Sequence, residues 1–299
     1  MNSEILVIIV TFNGMRWIDR CIDSVRKSDV AADILVIDNG STDGTVERLR
    51  KKSVEVIANS SNLGFGAANN IGLKRALDHG YGYVYLLNQD AWVEHDTFSI
   101  LLDAFKDGQY GILSPVQYDG SGKRMDRQFA KRCRRYLVKD KEAAVVEVPF
   151  VMAAHWMMSR SCYMQVGGFS PAFIMYGEDD NYLDRAHWFD IHAGVVRAAR
   201  AVHDRADRPD SPERRMFLKC NASVIHVSDP ARGVFFRLIG EPLRLAGIGC
   251  LHFSGAPFRY IGTLLKRYPE LLRLRRKSRK KGAFLLPDKR KRQAISRKS

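Results

Sequence analysis

The 299-residue sequence has few cysteines and no paired cysteine motif. Its five cysteines are scattered, and none belongs to a Cys-x-x-Cys pair. This pattern indicates neither a zinc site nor a disulfide framework, and it fits a reducing cytoplasm. The sequence also lacks a run of about 18 apolar residues, which a membrane-spanning helix requires. An apolar stretch at residues 5–10 ends too soon, at Thr11, to be the core of a signal peptide.

Two common nucleotide-binding motifs are missing as well. No Gly-x-Gly-x-x-Gly sequence follows the first predicted strand, and Gly-x-x-x-x-Gly-Lys-Ser/Thr occurs nowhere. Both motifs hold phosphate groups against glycine backbone at the start of a helix. The sequence therefore supports neither a nicotinamide-dependent dehydrogenase nor a P-loop enzyme.

Charge is spread unevenly along the chain. Residues 271–299 contain 13 Lys and Arg and a single acid, Asp288, so they hold +12 of the net charge of +15 and leave +3 for residues 1–270. A block of like charge is typical of a solvated tail that often binds a partner. We predict three regions: a main domain over residues 1–210, a helical extension over 211–272, and a basic, partly disordered tail over 273–299.

Short apolar runs alternate with helical patterns in the first 90 residues. The runs cover residues 5–10, 34–37, 54–57 and 83–87, and apolar residues recur at helical spacing in the segments between them. Runs of this length are typical of strands buried on both faces, and the order β-α-β-α-β-α-β predicts a parallel, doubly wound α/β sheet.

Polar side chains follow three of these predicted strands. They are Thr11 and Asn13, then Asp38, Ser41 and Asp43, and finally Asn88 and Asp90. A lone polar residue at a strand end is usually a cap or a turn residue. The carboxyl ends of parallel strands meet at one edge of a sheet, where α/β proteins bind ligands. With a glycine loop at residues 62–66 between them, these side chains predict a nucleotide pocket.

Asp90 follows a buried strand, where an unpaired charge is costly. A divalent cation that also holds a diphosphate would be a suitable partner, because Mg²⁺ or Mn²⁺ is usually bound by one or two carboxylates together with substrate phosphates. The alternative is that Asp90 caps the next helix.

A second acidic site lies at Glu178, Asp179 and Asp180. Neighbouring carboxylates repel each other and need a cation, an arginine or a proton, and a raised pKa would suit a general base. The alternative is an acidic helix start, which the helix dipole favours. On a helix Arg185 has no acid at i−3 or i−4, so we expect the neutralising partner to come from elsewhere in the fold or from a ligand.

Two histidines differ in context. His203 ends a strand-like stretch before a loop that contains Arg205, and it is a credible metal or phosphate contact. His226 lies in a weaker context, and we predict a structural role for it.

Taken together, these segments resemble the inverting, GT-A type glycosyltransferases of family 2. The resemblance covers about residues 4–205. It rests on residues 10–13 (Val-Thr-Phe-Asn), 37–44 (Ile-Asp-Asn-Gly-Ser-Thr-Asp-Gly), 62–70 (Asn-Leu-Gly-Phe-Gly-Ala-Ala-Asn-Asn), 87–91 (Leu-Asn-Gln-Asp-Ala), 167–169 (Gly-Gly-Phe) and 176–180 (Tyr-Gly-Glu-Asp-Asp). It implies a Rossmann-like, mostly parallel sheet flanked by helices, with the basic helical extension after it.

The resemblance also implies a function and a set of site residues. The enzyme would move a sugar from a nucleotide-sugar, a UDP- or dTDP-sugar, to a hydroxyl of a glycan or lipid-linked acceptor in cell-surface polysaccharide synthesis, with Mg²⁺ or Mn²⁺. The donor site would comprise Thr11, Asn13, Asp38, Gly64, Asn69, Asn70 and Asn88. Asp90 and His203 would bind the metal, and Asp179 would be the base.

The chain departs from the family pattern at two positions. Asn88 replaces the first acid of the Asp-x-Asp motif, so the affinity for metal could be weaker. Asp180 follows Asp179 directly and competes with it for the role of base.

In the C-terminal third, apolar residues alternate with basic ones. This pattern fits helices packed on the main domain, or an amphipathic segment on an anionic membrane surface, to which the tail would add attraction. We therefore expect a cytoplasmic protein at the inner face of the cell membrane. Nucleic-acid binding is the weaker interpretation, because the tail contains no aromatic residue except Phe284. A nucleotidyltransferase usually has a basic glycine-rich loop after its first strand, where this chain has Thr-Phe-Asn-Gly.

Overall fold

The computed structural model describes residues 3–205 and 211–285, and it contains one nine-stranded sheet with helices on both faces. The strands are β1 (Ile5–Thr11), β2 (Ala32–Asp38), β3 (Glu55–Ala58), β4 (Tyr83–Asn88), β5 (Ala91–Val93), β6 (Tyr110–Tyr118), β7 (Val145–Glu147), β8 (His155–Ser159) and β9 (His192–His203). The helices are α1 (Ile18–Arg26), α2 (Thr45–Lys51), α3 (Phe65–His79), α4 (Thr97–Phe105), α5 (Arg127–Lys139), α6 (Arg160–Val166), α7 (Glu178–Trp188), α8 (Pro212–Ser228), α9 (Val234–Leu251) and α10 (Ala256–Ser278).

The first four strands form the parallel half of the sheet, in the order β3-β2-β1-β4. Side chains of β1 alternate between two cores. Leu6 and Ile8 pack with α3 on one face, whereas Ile5 and Val7 pack with α1 and α4 on the other. Because both faces are covered, both sets of side chains are apolar, which explains the continuous apolar run. The predicted α/β architecture is confirmed here.

The second half of the sheet is mixed. β8 runs antiparallel to β4 and to β6, while β6 and β9 are parallel to each other. Both β5 and β7 pair antiparallel with β9. The change of direction falls between β4 and β8, so it separates the strands that carry the predicted nucleotide pocket from those that follow.

The polar and basic segment over residues 119–146 contains helix α5. Helix α5 begins at the cap residue Asp126, whose Oδ1 accepts hydrogen bonds from the backbone N–H groups of Gln128 (3.0 Å) and Phe129 (2.8 Å). Its buried residues Phe129, Cys133 and Leu137 recur every four positions. A residue pair at i, i+4 lies on one face of a helix, so this spacing carries a helix signal within a polar and basic segment.

Three helices, α8 to α10, make up the C-terminal region and share a separate apolar cluster with Ala172 and Phe173. Within the described part of the chain, no helix is both long enough and apolar enough to span a bilayer. The predicted boundary between residues 272 and 273 is wrong, because it falls inside α10.

The turn after α10 is also ordered against the main domain. Gly282 N donates to Gln165 O (2.8 Å), Gly168 N donates to Ala283 O (2.8 Å), and Leu285 belongs to the core that contains Leu6 and Ile8. The prediction of a partly disordered tail is therefore wrong for residues 273–285. Residues 286–299 lie outside the described part of the chain, as do residues 206–210 at the predicted end of the main domain.

Candidate active site

The polar strand ends meet at one edge of the sheet, as predicted. Thr11 lies opposite Asp38 in the register of β1 and β2, and Val10 lies opposite Asn88 in that of β1 and β4. Thr11 Oγ1 donates a hydrogen bond to Asp38 Oδ1 at 2.9 Å, and both side chains are buried. The parallel half of the sheet thus brings these groups together.

Asp38 organises the loop that follows β2. Its Oδ2 accepts hydrogen bonds from the N–H groups of Gly40 (3.0 Å) and Ser41 (2.9 Å), and its Oδ1 accepts one from Ser41 Oγ (2.5 Å). Asn13, with φ of 51°, joins this loop to β1, since its N–H donates to Ser41 Oγ (2.8 Å) and its Oδ1 accepts from Thr42 N (2.9 Å). Asn13 and Asp38 therefore fix the shape of the loops that follow β1 and β2.

Gln89 joins the end of β4 to the residue that follows β1, although the sequence analysis assigned it no role. Its Oε1 accepts from Phe12 N (2.8 Å), and its Nε2 donates to Phe12 O (3.2 Å). The amide thus pairs with backbone as a strand neighbour would, beyond the end of β4. A side chain that replaces backbone pairing leaves no pattern in the sequence, which explains why its role was missed.

Gly64 sits where the glycine loop meets the acidic segment. It precedes α3 with φ of 82° and ψ of 168°. A Cβ at this position would lie 2.1 Å from Ile174 O. Gly66, two residues further, would place a Cβ 2.9 Å from Phe169 Cβ and 3.7 Å from Glu178 Cβ. The start of α3 therefore lies directly against residues 174–178, so the glycine loop borders the acidic site.

We expect Gly64→Ala to lower stability by more than Gly80→Ala. Gly80, at the other end of α3, has φ of 81°, and a Cβ added there would meet nothing within 4 Å. Both substitutions incur the strain of a positive φ, about 1–3 kcal/mol, but only Gly64→Ala must also displace backbone. Urea or thermal unfolding of the two variants measures the difference. Equal losses would mean that the close approach of Ile174 does not constrain the loop.

Asn69 and Asn70 have contacts within the protein. Asn69 is buried, and its Nδ2 donates to Phe65 O (3.0 Å). Asn70 Oδ1 accepts from Phe169 N (2.6 Å), and Asn70 Nδ2 donates to Phe169 O (2.9 Å). The Asn70 amide thus holds the turn that follows α6, and its predicted place in the donor site stays a prediction.

Asp90, His203 and Asn88 form a polar cluster at the end of β4. His203 Nε2 lies 3.4 Å from Asp90 Oδ1 and 3.4 Å from Asn88 Nδ2. The main chain joins the two strands at the same point, because Asp204 N donates to Asp90 O (2.8 Å). Asp90 and His203 are 5% and 1% exposed, so both are held away from bulk water. The structure places together two residues that lie far apart in the sequence.

Behind this cluster lies a second histidine, His155, which the sequence analysis did not identify. Tyr85 Oη is 2.9 Å from His155 Nδ1, and His155 Nε2 is 3.0 Å from Val202 O. Burial, followed by the nearby His203, lowers the pKa of His155 to about 3, so the ring is neutral. A neutral ring donates through Nε2 to the carbonyl and accepts at Nδ1 from the tyrosine. His155 therefore holds β9 in place just before His203.

The donor atoms of this cluster fit a divalent cation. Asn88 Oδ1 is buried and has no hydrogen-bond partner among residues 3–205 and 211–285. Together with the Asp90 carboxylate it gives oxygen ligands of the kind that Mn²⁺ and Mg²⁺ prefer, and the His203 ring adds one nitrogen ligand. No group of three or more His, Cys, Asp and Glu suited to a metal occurs in the described part of the chain. The remaining ligands would come from donor phosphates and water.

The second acidic site is the first turn of α7. Glu178, Asp179 and Asp180 occupy it after Gly177, so the helix-start interpretation is correct for the local structure. Arg132 of α5 supplies the neutralising partner from elsewhere in the fold, since its Nη1 lies 3.1 Å from Asp180 Oδ1. Arg185 does not contribute, because its guanidinium is buried and donates to the backbone carbonyls of Val166 and Gly168.

The three carboxyl groups of this turn differ in their environments. Burial, followed by the charge of Asp180, raises the pKa of Asp179 to about 7. Burial, followed by the charge of Asp179, raises the pKa of Glu178 to about 8. Burial also raises the pKa of Asp180, and its pair with Arg132 opposes that rise. Asp179 is half-buried and its Oδ1 accepts only from Asp180 N (3.0 Å) among the described contacts. Of the three, Asp179 has the properties of a general base near neutral pH.

Comparisons with known proteins identify the family of this chain. The model of the family described as "Glycosyl transferase family 2" matches residues 6–167. A hexosyltransferase of low-salt glycan biosynthesis, Agl10 of Haloferax volcanii, is 22% identical over 213 residues, 69% of this chain and 68% of the relative. N-acetylglucosaminyl-diphospho-decaprenol L-rhamnosyltransferase of Mycobacterium tuberculosis is 27% identical over 241 residues, 69% of this chain and 78% of the relative.

A solved structure has the same fold. The mannosyltransferase PcManGT from Pyrobaculum calidifontis, in complex with GDP-Man and Mn²⁺, superposes with a TM-score of 0.57 and 18% identity, over 93% of this chain and 87% of that chain. The fold is therefore GT-A, as the resemblance implied.

The family model covers more than half of the chain, from β1 to the turn after α6. The protein belongs to glycosyl transferase family 2. It is a glycosyltransferase, and the prediction made from its sequence motifs is confirmed at this level.

Proposed function

We propose that the protein is a metal-dependent, inverting glycosyltransferase that moves a sugar from a UDP- or dTDP-sugar to a hydroxyl of a lipid-linked or glycan acceptor. The main support is the arrangement of two acidic sites on either side of the glycine loop. Asp90 and His203 lie together at the end of β4, and Asp179 lies in the first turn of α7, the helix against which that loop packs. Sugar transfer needs one group that holds the donor diphosphate and another that deprotonates the acceptor, and the two must lie at different places in the site.

In this proposal the donor edge holds the leaving group. Asn88, Asp90 and His203 would bind Mg²⁺ or Mn²⁺ together with the diphosphate. The bound cation would neutralise charge that develops on the diphosphate as it leaves. Thr11, Asn13 and Asp38 would set the shape of the nucleoside pocket, because their hydrogen bonds fix the loops after β1 and β2.

Asp179 would be the general base of the reaction. Its carboxylate takes the proton of the acceptor hydroxyl while the oxygen forms a bond to the anomeric carbon. On the opposite face of the sugar, the bond between that carbon and the diphosphate oxygen breaks, so the configuration inverts. A base within hydrogen-bond reach of the hydroxyl typically contributes about 10²–10⁴-fold to the rate.

The acceptor class comes from the relatives. The M. tuberculosis relative is described as acting on N-acetylglucosaminyl-diphospho-decaprenol, a lipid-linked sugar. An acceptor of that kind is held in a membrane, so we place the enzyme at the inner face of the cell membrane, on the cytoplasmic side. Cell-surface polysaccharide synthesis is the process that such an acceptor would serve.

Donor binding by the full chain tests this proposal first. Titration calorimetry with UDP-, GDP- and dTDP-sugars, each with and without Mn²⁺, is expected to show one nucleotide class binding in a metal-dependent way. Hydrolysis of that donor in the absence of acceptor should then be detectable. If no nucleotide-sugar binds under any metal condition, the proposed function is wrong.

A further inference from the structure

Helix α9 presents its apolar side to solvent and its charged side to the protein. Glu241 is 2% exposed and accepts hydrogen bonds from Arg244 Nε (2.6 Å) and Arg237 Nη1 (3.4 Å). His226 Nδ1 of α8 also contacts it at 2.7 Å, which gives His226 the structural role predicted for it. The charged residues of α9 therefore make their contacts within the three-helix region. An ordinary surface helix instead packs its apolar side on the protein and exposes its charged side to solvent.

The exposed side chains of α9 are apolar, and the apolar character continues past the end of the helix. We define the apolar face as Phe235 (68% exposed), Phe236 (81%), Ile239 (55%), Leu243 (68%), Leu251 (75%) and Phe253 (99%). Single exposed apolar residues are ordinary, but a contiguous set marks an interaction site.

The surroundings of the apolar face indicate what covers it. Neighbouring helix α10 contains seven basic residues and one acid. Arg259, Lys266 and Arg273 are exposed and follow one another at seven-residue intervals, so they lie along one side of that helix. Because α10 packs against α9, the pair of helices combines exposed apolar side chains with exposed basic ones, a composition typical of helices that lie in the plane of an anionic membrane surface.

A second copy of the chain suits this surface less well. It would bring an identical basic helix and a net charge of +15 against the same charge. Anionic lipid headgroups complement the basic row, and the acyl region beneath them accommodates the apolar face. Charge complementarity therefore favours a lipid surface.

The three-helix region is bonded to the segment that leads into the candidate base. Asn221 Nδ2 of α8 donates to Tyr176 O (2.7 Å), and Arg214 Nε donates to Tyr176 Oη (3.3 Å). Tyr176 lies two residues before Glu178. The three-helix region and the first turn of α7 are thus joined through Tyr176.

We propose that the apolar face of α9 inserts into the headgroup region of a bilayer that contains anionic lipid, with the basic row of α10 against the phosphates. The proposal deepens the proposed function, because it says which surface would bring the enzyme to a lipid-linked acceptor. It differs from attraction through the basic tail alone, which requires no insertion.

Vesicle flotation of the full chain tests the insertion. The test variant is Phe236→Glu with Leu243→Glu, and the matched control is Val138→Glu with Met164→Glu, which also replaces exposed apolar helix residues (55% and 44% exposed) away from α9. Wild type and control are expected to float with phosphatidylcholine–phosphatidylglycerol vesicles, whereas the test pair should bind about tenfold or more weakly. Failure of wild type to bind, or equal loss in the control, overturns the proposal.

Two further readouts distinguish membrane insertion from surface attraction alone and from dimer formation. Phe253→Trp should give a blue shift and quenching by brominated lipid on vesicle binding, and binding without either change would mean attraction without insertion, which overturns the proposal. Sedimentation equilibrium without vesicles is expected to show a monomer for wild type. A wild-type dimer that the Phe236→Glu and Leu243→Glu pair dissociates would assign the face to a second copy instead.

Donor hydrolysis distinguishes this proposal from the function on which it rests. In vesicle-free solution the test pair should hydrolyse the donor at the wild-type rate, because the apolar face lies outside the donor edge. If even wild type has no activity, the proposed function fails while the vesicle results still decide the insertion.

Discussion

Asparagine in place of Asp179 is expected to lower kcat by about 10³-fold or more while donor affinity stays within a factor of about two. The amide has the size of the carboxyl group but cannot accept the acceptor proton at neutral pH. Donor binding does not depend on it, because the donor contacts proposed above lie at the ends of β1, β2 and β4. Steady-state kinetics with saturating acceptor, together with calorimetry of donor binding, measure the two quantities.

Asp180→Asn is the matched control. The two acids are adjacent in the first turn of α7, but Asp180 is paired with Arg132 at 3.1 Å, while Asp179 is not. We therefore expect Asp180→Asn to lower kcat much less than Asp179→Asn. A reversed order of losses would show that Asp180 is the base and that Arg132 must release it during the reaction.

The pH dependence of activity is an independent test of whether Asp179 is the base. The base must be deprotonated, so activity should fall as pH drops through about 7, the raised pKa of Asp179, rather than through the ordinary carboxyl range near 4. The charge of Asp180 contributes to that rise. Asp180→Asn should therefore move the acidic limb of kcat/KM to lower pH, whereas an unchanged limb would mean that another group controls it.

Alanine in place of Asp90 is expected to reduce metal-dependent donor binding by about 100-fold or more, since a bound cation contributes several kcal/mol. The carboxylate is the only acidic side chain of the Asn88–Asp90–His203 cluster, so its loss removes the main charge that a cation would meet. Calorimetry of the chosen donor at several Mn²⁺ concentrations is the direct measurement. A thermal unfolding curve for each variant separates lost binding from lost fold.

Asn88→Asp should act in the opposite direction. It restores an acid at the first position of the motif, where Asn88 Oδ1 now lacks a partner within the described residues. We expect the Mn²⁺ concentration for half-maximal donor binding to fall. If Asp90→Ala has no effect and Asn88→Asp does not change the metal dependence, the cluster does not hold the cation.

The meeting of the polar strand ends at one edge of the sheet could be predicted from the sequence, because it follows from a simple rule. Parallel strands that read as continuous apolar runs must end side by side, so Thr11, Asp38 and Asn88 had to be neighbours. The sequence singled out His203 as a candidate, but its closeness to Asp90 could not be predicted. That closeness depends on an antiparallel pairing between β5 and β9, two strands that lie far apart along the chain.

The residues that were missed act through backbone or through distant partners. Gln89 pairs with the main chain of Phe12, so this pairing does not depend on the residue type at the other end. The same holds for the contact between Asn70, which the sequence predicted only as a donor-site residue, and the main chain of Phe169. Arg132 lies on α5, whose buried residues are Phe129, Cys133 and Leu137. The basic residues between them hide the helical spacing of these three apolar side chains. Side chains that satisfy backbone atoms far along the chain leave no periodic signal.

The turn after α10 affects the order in which the protein can fold during synthesis. Gly167 has no room for a Cβ because Ala283 O would lie 2.1 Å from it, and Leu285 completes a core that begins with β1. Domains generally fold as units while they emerge from the ribosome. Here the core that begins with β1 also includes Leu285, so this core is complete only after residue 285 has been translated.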